Sequence, residues 1–242
     1  MKFLIFSVSI GLFFASNLNA FIFDRSWEMI PEEWLQVMYP VTGEAPGRQS
    51  CDDITFNKCQ ADFDTNLNFT NTLTWRNSDI LWVKIRQMLR FGSVSTFLQV
   101  CRARDSFQAC MLDNYFPCLN RYSLMNRSNA TWYLVMTYIR LFEHLDFLCN
   151  QGFDQLANLA TWTCVQQATN TTANELCDVK FNSTLGGNYN NLCPAVTQYC
   201  DCKSKVYHAS CHSPIGYMAC EDIRVGYAAD CRGIRCLVDN DN

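Results

Sequence analysis

The sequence carries no serine elbow, no phosphate-cradling glycine loop and no dinucleotide fingerprint. It therefore lacks the common signatures of hydrolases and nucleotide-dependent enzymes. It has no basic run. Its 19 Lys and Arg stand against 23 Asp and Glu, a formal charge of −4, and that balance argues against a nucleic-acid partner. Beyond Phe14 no apolar stretch reaches the roughly 20 uncharged residues of a membrane span. The segment Leu237 to Asn242 is polar, with neither a hydrophobic tail for a lipid anchor nor a retention signal. Internal repeats and low-complexity tracts are missing too.

Cysteine is what the chain has in quantity. The fifteen are Cys51, Cys59, Cys101, Cys110, Cys118, Cys149, Cys164, Cys177, Cys193, Cys200, Cys202, Cys211, Cys220, Cys231 and Cys236. Met1 to Ala20 reads as a secretory signal peptide: Lys2 gives the positive start, Phe3 to Phe14 the apolar run, and Ala20 the small terminal residue. All fifteen cysteines follow it, so they are disulfide candidates in an oxidising compartment. Seven bridges leave one thiol, which is either a buried free cysteine or the link of a covalent dimer. Five N-glycosylation sequons begin at Asn68, Asn126, Asn129, Asn170 and Asn182. The expectation is a secreted, extracellular glycoprotein.

Apolar periodicity points to helices throughout. In Phe97–Met111 the stripe is Val100, Ala103, Phe107, Cys110 and Met111, with Arg102, Arg104 and Asp105 on the solvated side. In Thr131–Cys149 it is Leu134, Tyr138, Leu141, Leu145 and Leu148, widened by Val135, Ile139 and Phe142, a pattern of burial on more than one side. Gly152 is placed to end this helix in a left-handed conformation. Cys101 and Cys110 are nine residues apart. On a helix that is roughly 13 Å of rise with opposite facing, beyond the ~7 Å a disulfide spans, so each must reach a different neighbour.

Other helices are expected at Pro31–Met38, at Cys51–Asn66 with Ile54, Cys59 and Phe63 on one face, and at Ile80–Phe91. Further ones are expected at Phe153–Cys164 and Ala173–Phe181. From Cys193 to Cys236 seven cysteines fall in 44 residues among prolines and glycines, so structure should be less regular, with helices possible at Pro194–Tyr207 and Met218–Ala228.

The predicted architecture is an all-α, disulfide-rich domain of about six helices with a less regular, cysteine-dense C-terminal lobe. Residues 21–50 form an N-terminal extension and linker, whose Trp27 and Trp34 are expected to lie back on the domain, binding of a partner being the alternative. Residues 51–236 form the cysteine-rich helical domain, with 193–236 as a possible lobe, and 237–242 a polar tail.

Three clusters invite chemistry. His208, Cys211 and His212 near Cys200-Asp201-Cys202 have the residue types of a zinc site, but disulfides are the better use of secreted cysteines. Glu143, His144 and Asp146 place an imidazole near carboxylates, yet His144 reads as a surface or boundary residue. Cys231 to Cys236 reads as a tight structural loop, its Arg232 and Arg235 otherwise able to grip an anion. No catalytic, cofactor or metal residue is assigned.

Three segments carry a family likeness: Val100-Cys101-Arg102-Ala103-Arg104-Asp105-Ser106-Phe107-Gln108-Ala109-Cys110, His144-Leu145-Asp146-Phe147-Leu148-Cys149-Asn150-Gln151-Gly152-Phe153 leading to Cys164, and Ala219-Cys220-Glu221. The chain resembles the nematode secreted domains of the chondroitin proteoglycan 4 type over roughly Cys51 to Cys236. The resemblance implies an extracellular, non-enzymatic, glycan-bearing protein associated with matrix or eggshell. Chondroitin attaches at Ser-Gly, and the sequence has no such dipeptide. The expected function is therefore a structural or interaction module without catalytic activity. Its partner would be an extracellular protein or glycan, and no membrane span or nucleic acid is involved. The alternatives are a binding protein for a lipid or small hydrophobe, and a small disulfide-rich hydrolase.

Overall fold

A computed structural model describes residues 22–38 and 50–237. The leader, the linker at Val41 to Gln49 and most of the polar tail lie outside the described residues. Described residues form only helices and their connections: a 3-10 turn at Ser26–Met29, then α1 (Glu32–Met38), α2 (Asp53–Asn66), α3 (Ser78–Phe91), α4 (Val94–Met111), α5 (Tyr115–Cys118), α6 (Arg121–Met125), α7 (Trp132–Asp146), α8 (Phe153–Leu156), α9 (Leu159–Thr169), α10 (Thr172–Leu185), α11 (Leu192–Cys211) and α12 (Ser213–Gly226). It is a disulfide-rich all-α domain.

Side-chain caps set several of the starts. Asp52, Thr131, Asn158 and Thr171 each accept a backbone N–H of the following first turn. The α7 helix is the central one, with residues 135–142 buried without a break. Its Phe142 ring lies 4.8 Å from Phe107 of α4 and 5.5 Å from Phe63 of α2, so α2, α4 and α7 meet around one aromatic cluster. Gly152 does not end the helix in a left-handed conformation. The chain instead widens into a π turn at Phe147–Gln151, and Gly152 stays right-handed. A Cβ on Gly152 would come within 2.8 Å of Met218, so that position serves close packing against α12.

The periodicity misplaces three side chains. Ile54 is 83% exposed, and the buried face of α2 is Phe56, Cys59 and Phe63. Arg104 is not on a solvated face of α4. It is buried, and its guanidinium binds Asp146 at 2.7 Å. Tyr115 donates to the same carboxylate at 2.7 Å. His144 is neither a surface nor a boundary residue, because it is completely buried.

The pairs are Cys51–Cys118, Cys59–Cys110, Cys101–Cys149, Cys164–Cys211, Cys177–Cys202, Cys193–Cys231 and Cys220–Cys236. Helix α4 is clamped from two sides, through Cys101 to α7's end and through Cys110 to α2. Cys231 and Cys236 do not close a loop on each other; each reaches a different helix. The cysteine-dense segment is tied back by Cys202 and Cys211 to α10 and α9. Both helices its composition allows do form, and the irregular remainder is 227–237.

Cys200 is the free cysteine, 2% exposed, its thiol facing the carbonyl of Cys220 at 3.8 Å. Burial pushes the thiol well above its ordinary pKa, and nearby Asp24 and Glu221 add to this. It is an inert group of the interior. The native protein should therefore resist a thiol reagent, release one thiol per chain in guanidinium, and run as a monomer on a non-reducing gel. A dimer band abolished by Cys200→Ala would contradict this.

Candidate functional site

The disulfides split the chain into two stapled halves. Three bridges lie within 51–149 and four within 164–236, and none crosses between them. The halves meet where α7 packs on α12. Polar residues gather at that seam, and the N-terminal segment runs through it.

Residues 22–30 are part of the core, and Trp27 lies back on the domain. Ile22, Phe23, Asp24, Ser26 and Trp27 are each at most 4% exposed. Only non-covalent contacts hold them, since no cysteine precedes Cys51. From the second half, Thr169 and Tyr207 donate to the Ile22 carbonyl at 3.3 and 3.0 Å. Phe23 packs edge-on to Tyr207, and the Arg25 guanidinium pairs with Asp178 at 3.1 Å. From the first half, Thr137 accepts the Trp27 indole N–H at 3.0 Å. Glu28 accepts the Trp82 indole N–H at 3.2 Å and pairs with Arg86.

At the centre sits His144. Its Nδ1 lies 2.8 Å from Asp222 of α12, and its Nε2 lies 3.6 Å from Asp24. Burial alone would push the imidazole pKa down, but the two carboxylates outweigh it and hold it above its ordinary value. Burial raises Asp222, and His144 offsets part of that rise. Trp82 closes one side of the ring, edge-on at 5.7 Å. On another side the backbone of Gly226 comes so near that a Cβ there would lie 2.9 Å from Nε2, which makes glycine necessary at this contact. Asp24 also accepts the Ser26 backbone N–H and hydroxyl at 2.8 and 2.6 Å, and Tyr227 donates to that hydroxyl at 2.7 Å. One turn before His144, Arg140 is sandwiched between the rings of Trp27 and Tyr227, 4.0 and 4.2 Å from their centroids. It pairs with Asp230 at 2.8 Å.

A second buried set adjoins it. Asp178 takes the Tyr199 hydroxyl at 2.7 Å and Lys203 at 2.8 Å. Lys203 also donates to the Asn174 side chain at 2.6 Å. The Lys203 ammonium thus sits between acceptors, as a buried charge requires.

The cluster has the residue types of an acid–base site, but Asp24, Ser26, His144 and Asp222 are at most 1% exposed. No substrate reaches them in this conformation. The other sequence candidates are not brought to one place. Asp146 pairs with Arg104 instead of joining the His144–Asp222 pair. Cys202 and Cys211 are disulfide-bonded, and no metal-ligating cluster occurs among the described residues. Asn68, Asn126, Asn129, Asn170 and Asn182 are all exposed. An open groove of about 550 Å³ runs along α3 past Ile80, Val83, Lys84, Gln87 and Tyr133.

Sequence reasoning missed Asp24, Ser26, Asp222, Tyr227 and Asp230. One signal was readable: Arg140 and His144 stand one turn apart in an otherwise apolar helix, and a cation so placed needs a buried partner. No family model matches the chain, and no curated protein or solved structure is detectably similar to it.

Proposed function

We propose that the protein is a secreted, N-glycosylated structural or interaction module of the extracellular space, without catalytic activity. The observation that carries this reading is the sealed polar seam: His144 with Asp222 and Asp24 lies buried where the two stapled halves meet instead of facing a cleft. Seven disulfides and five exposed sequon asparagines support an oxidising, glycosylating compartment. The space between α4 and α7, where a lipid-binding alternative needs room, is filled by Phe63, Phe107 and Phe142. Association with matrix rests on the family resemblance, and the partner class is an extracellular protein or glycan.

The test is expression of the full chain in a secretory host. The expected product is found in the medium, loses mass on enzymatic removal of N-glycans, and leaves Ser26 unlabelled by a fluorophosphonate probe. Retention inside the cell without glycan, or stoichiometric native labelling of Ser26, would overturn the reading.

A further inference from the structure

We infer that the seam between the two disulfide-stapled halves is a binding site for a short peptide segment, and that residues 22–30 of the same chain are its ligand. Four observations meet here. The bridges fall into two sets with no crossing bridge. The N-terminal segment carries no cysteine, so it is the part of the described core that no disulfide fixes. It touches both halves: Ile22, Phe23 and Arg25 the second, Trp27 and Glu28 the first, with Asp24 and Ser26 at the charged centre between them. Finally, its recognition pattern is that of a bound peptide, with apolar side chains in pockets and backbone groups read by side chains.

The backbone reading is specific. The Ile22 carbonyl is gripped by Thr169 and Tyr207, and the Arg25 N–H donates to the Tyr199 hydroxyl at 3.2 Å. The side-chain reading is more so. The seat takes two apolar residues, then a carboxylate facing His144, a guanidinium facing Asp178, a hydroxyl facing Tyr227, and an indole lying on Arg140. A peptide with this order of groups is the ligand class. Trp27 is its anchor, since buried tryptophans carry most of the energy at such contacts. The tether from Met38 to Cys51 keeps the ligand at high effective concentration, so occupancy in cis is the resting state.

The test cuts the tether after folding. A specific protease site is placed within residues 39–49 of the full chain, and the native protein is cleaved. The N-terminal fragment is expected to co-elute with the body on gel filtration. A labelled synthetic peptide of residues 22–38 should then exchange into the body while its circular dichroism stays unchanged. Peptides carrying Trp27→Ala or Asp24→Ala should compete at least about tenfold less well. Because the substitutions are in the peptide, folding of the body is untouched. Three results would overturn the inference: loss of the fragment as soon as the tether is cut, exchange equally good for a scrambled peptide, or release only together with unfolding of the stapled body. Cleaved dimers in which each body holds the other chain's fragment would replace the cis ligand by a second copy.

Discussion

Arg140→Ala is expected to lower the unfolding free energy by about 3–5 kcal/mol, the usual cost of breaking a buried ion pair from one side. For a chain of this size that is a fall of about 10 °C in Tm. The size follows from what the arginine leaves behind. Its guanidinium is fully buried, and Asp230, Asp24 and Asp222 are the anionic groups of the seam. Removing the cation takes away the partner of Asp230, in a medium where its unpaired carboxylate costs several kcal/mol. The substitution also empties the slot between Trp27 and Tyr227, so packing is lost with charge. Arg140→Met restores much of the volume and none of the charge, so it separates the two contributions. Lys205→Ala is the control. Its pair with Asp201 lies at the surface within α11, both side chains about two-thirds exposed, and such pairs are worth at most about 1 kcal/mol. Thermal unfolding of the three variants decides the matter. Equal losses for Arg140→Ala and Lys205→Ala would show that the seam is not held by Arg140.

The helical frame was legible because it rests on local rules. The apolar stripe of α7, the caps and the phasing of Cys101 against Cys110 are all set within a few turns of chain. The seam was not legible for a physical reason. Its groups come from residues 24–28, 137–144, 222–230 and the α9–α11 bundle, and each looks ordinary in its own segment. Asp222 resembles any polar residue near a helix end, and Asp24 any loop aspartate. Only the tertiary fold brings them together, and burial then gives them their importance. The same holds for Arg104, which falls on the polar side by periodicity yet is covered by the packing of α5 and the end of α7. Disulfide pairing was equally out of reach beyond the one exclusion that helix geometry allowed, because spacing does not fix which helices become neighbours.

Stability should fall as pH rises from about 5 to above 8, opposite to the common pattern in which paired carboxylates are lost in acid. Four groups act in one direction. Burial pushes Glu143 up to about 7, although Arg140 and His144 pull against it. Burial pushes Asp64 up to about 6, against the Leu73 backbone N–H and Gln60 that favour its ionised form. Asp222 is raised by burial, and His144 is raised because Asp222 and Asp24 outweigh its own burial. A raised pKa means that the folded state binds more protons than the unfolded chain over the window between the two values. The unfolding free energy then decreases with rising pH across that window. For the carboxyl groups the loss starts near pH 4, where they ionise in the unfolded chain, and is complete above their folded values. For His144 the contribution is whole below about 6.5 and disappears as pH passes its higher folded value. At about 1.4 kcal/mol per pKa unit, Glu143 and Asp64 give a change on the order of several kcal/mol, or about 10 °C in Tm. Asp52, lowered by Thr55 and Ile54, has the opposite sign but is fully exposed and acts only below pH 4. Glu143→Gln should flatten roughly half of the slope and Asp64→Asn most of the rest, each measured as Tm against pH from 4.5 to 9. A Tm that is level or climbs over that range in the parent protein would mean that these carboxyls ionise freely in the folded state, and that the interior around α7 is wetter than its packing indicates.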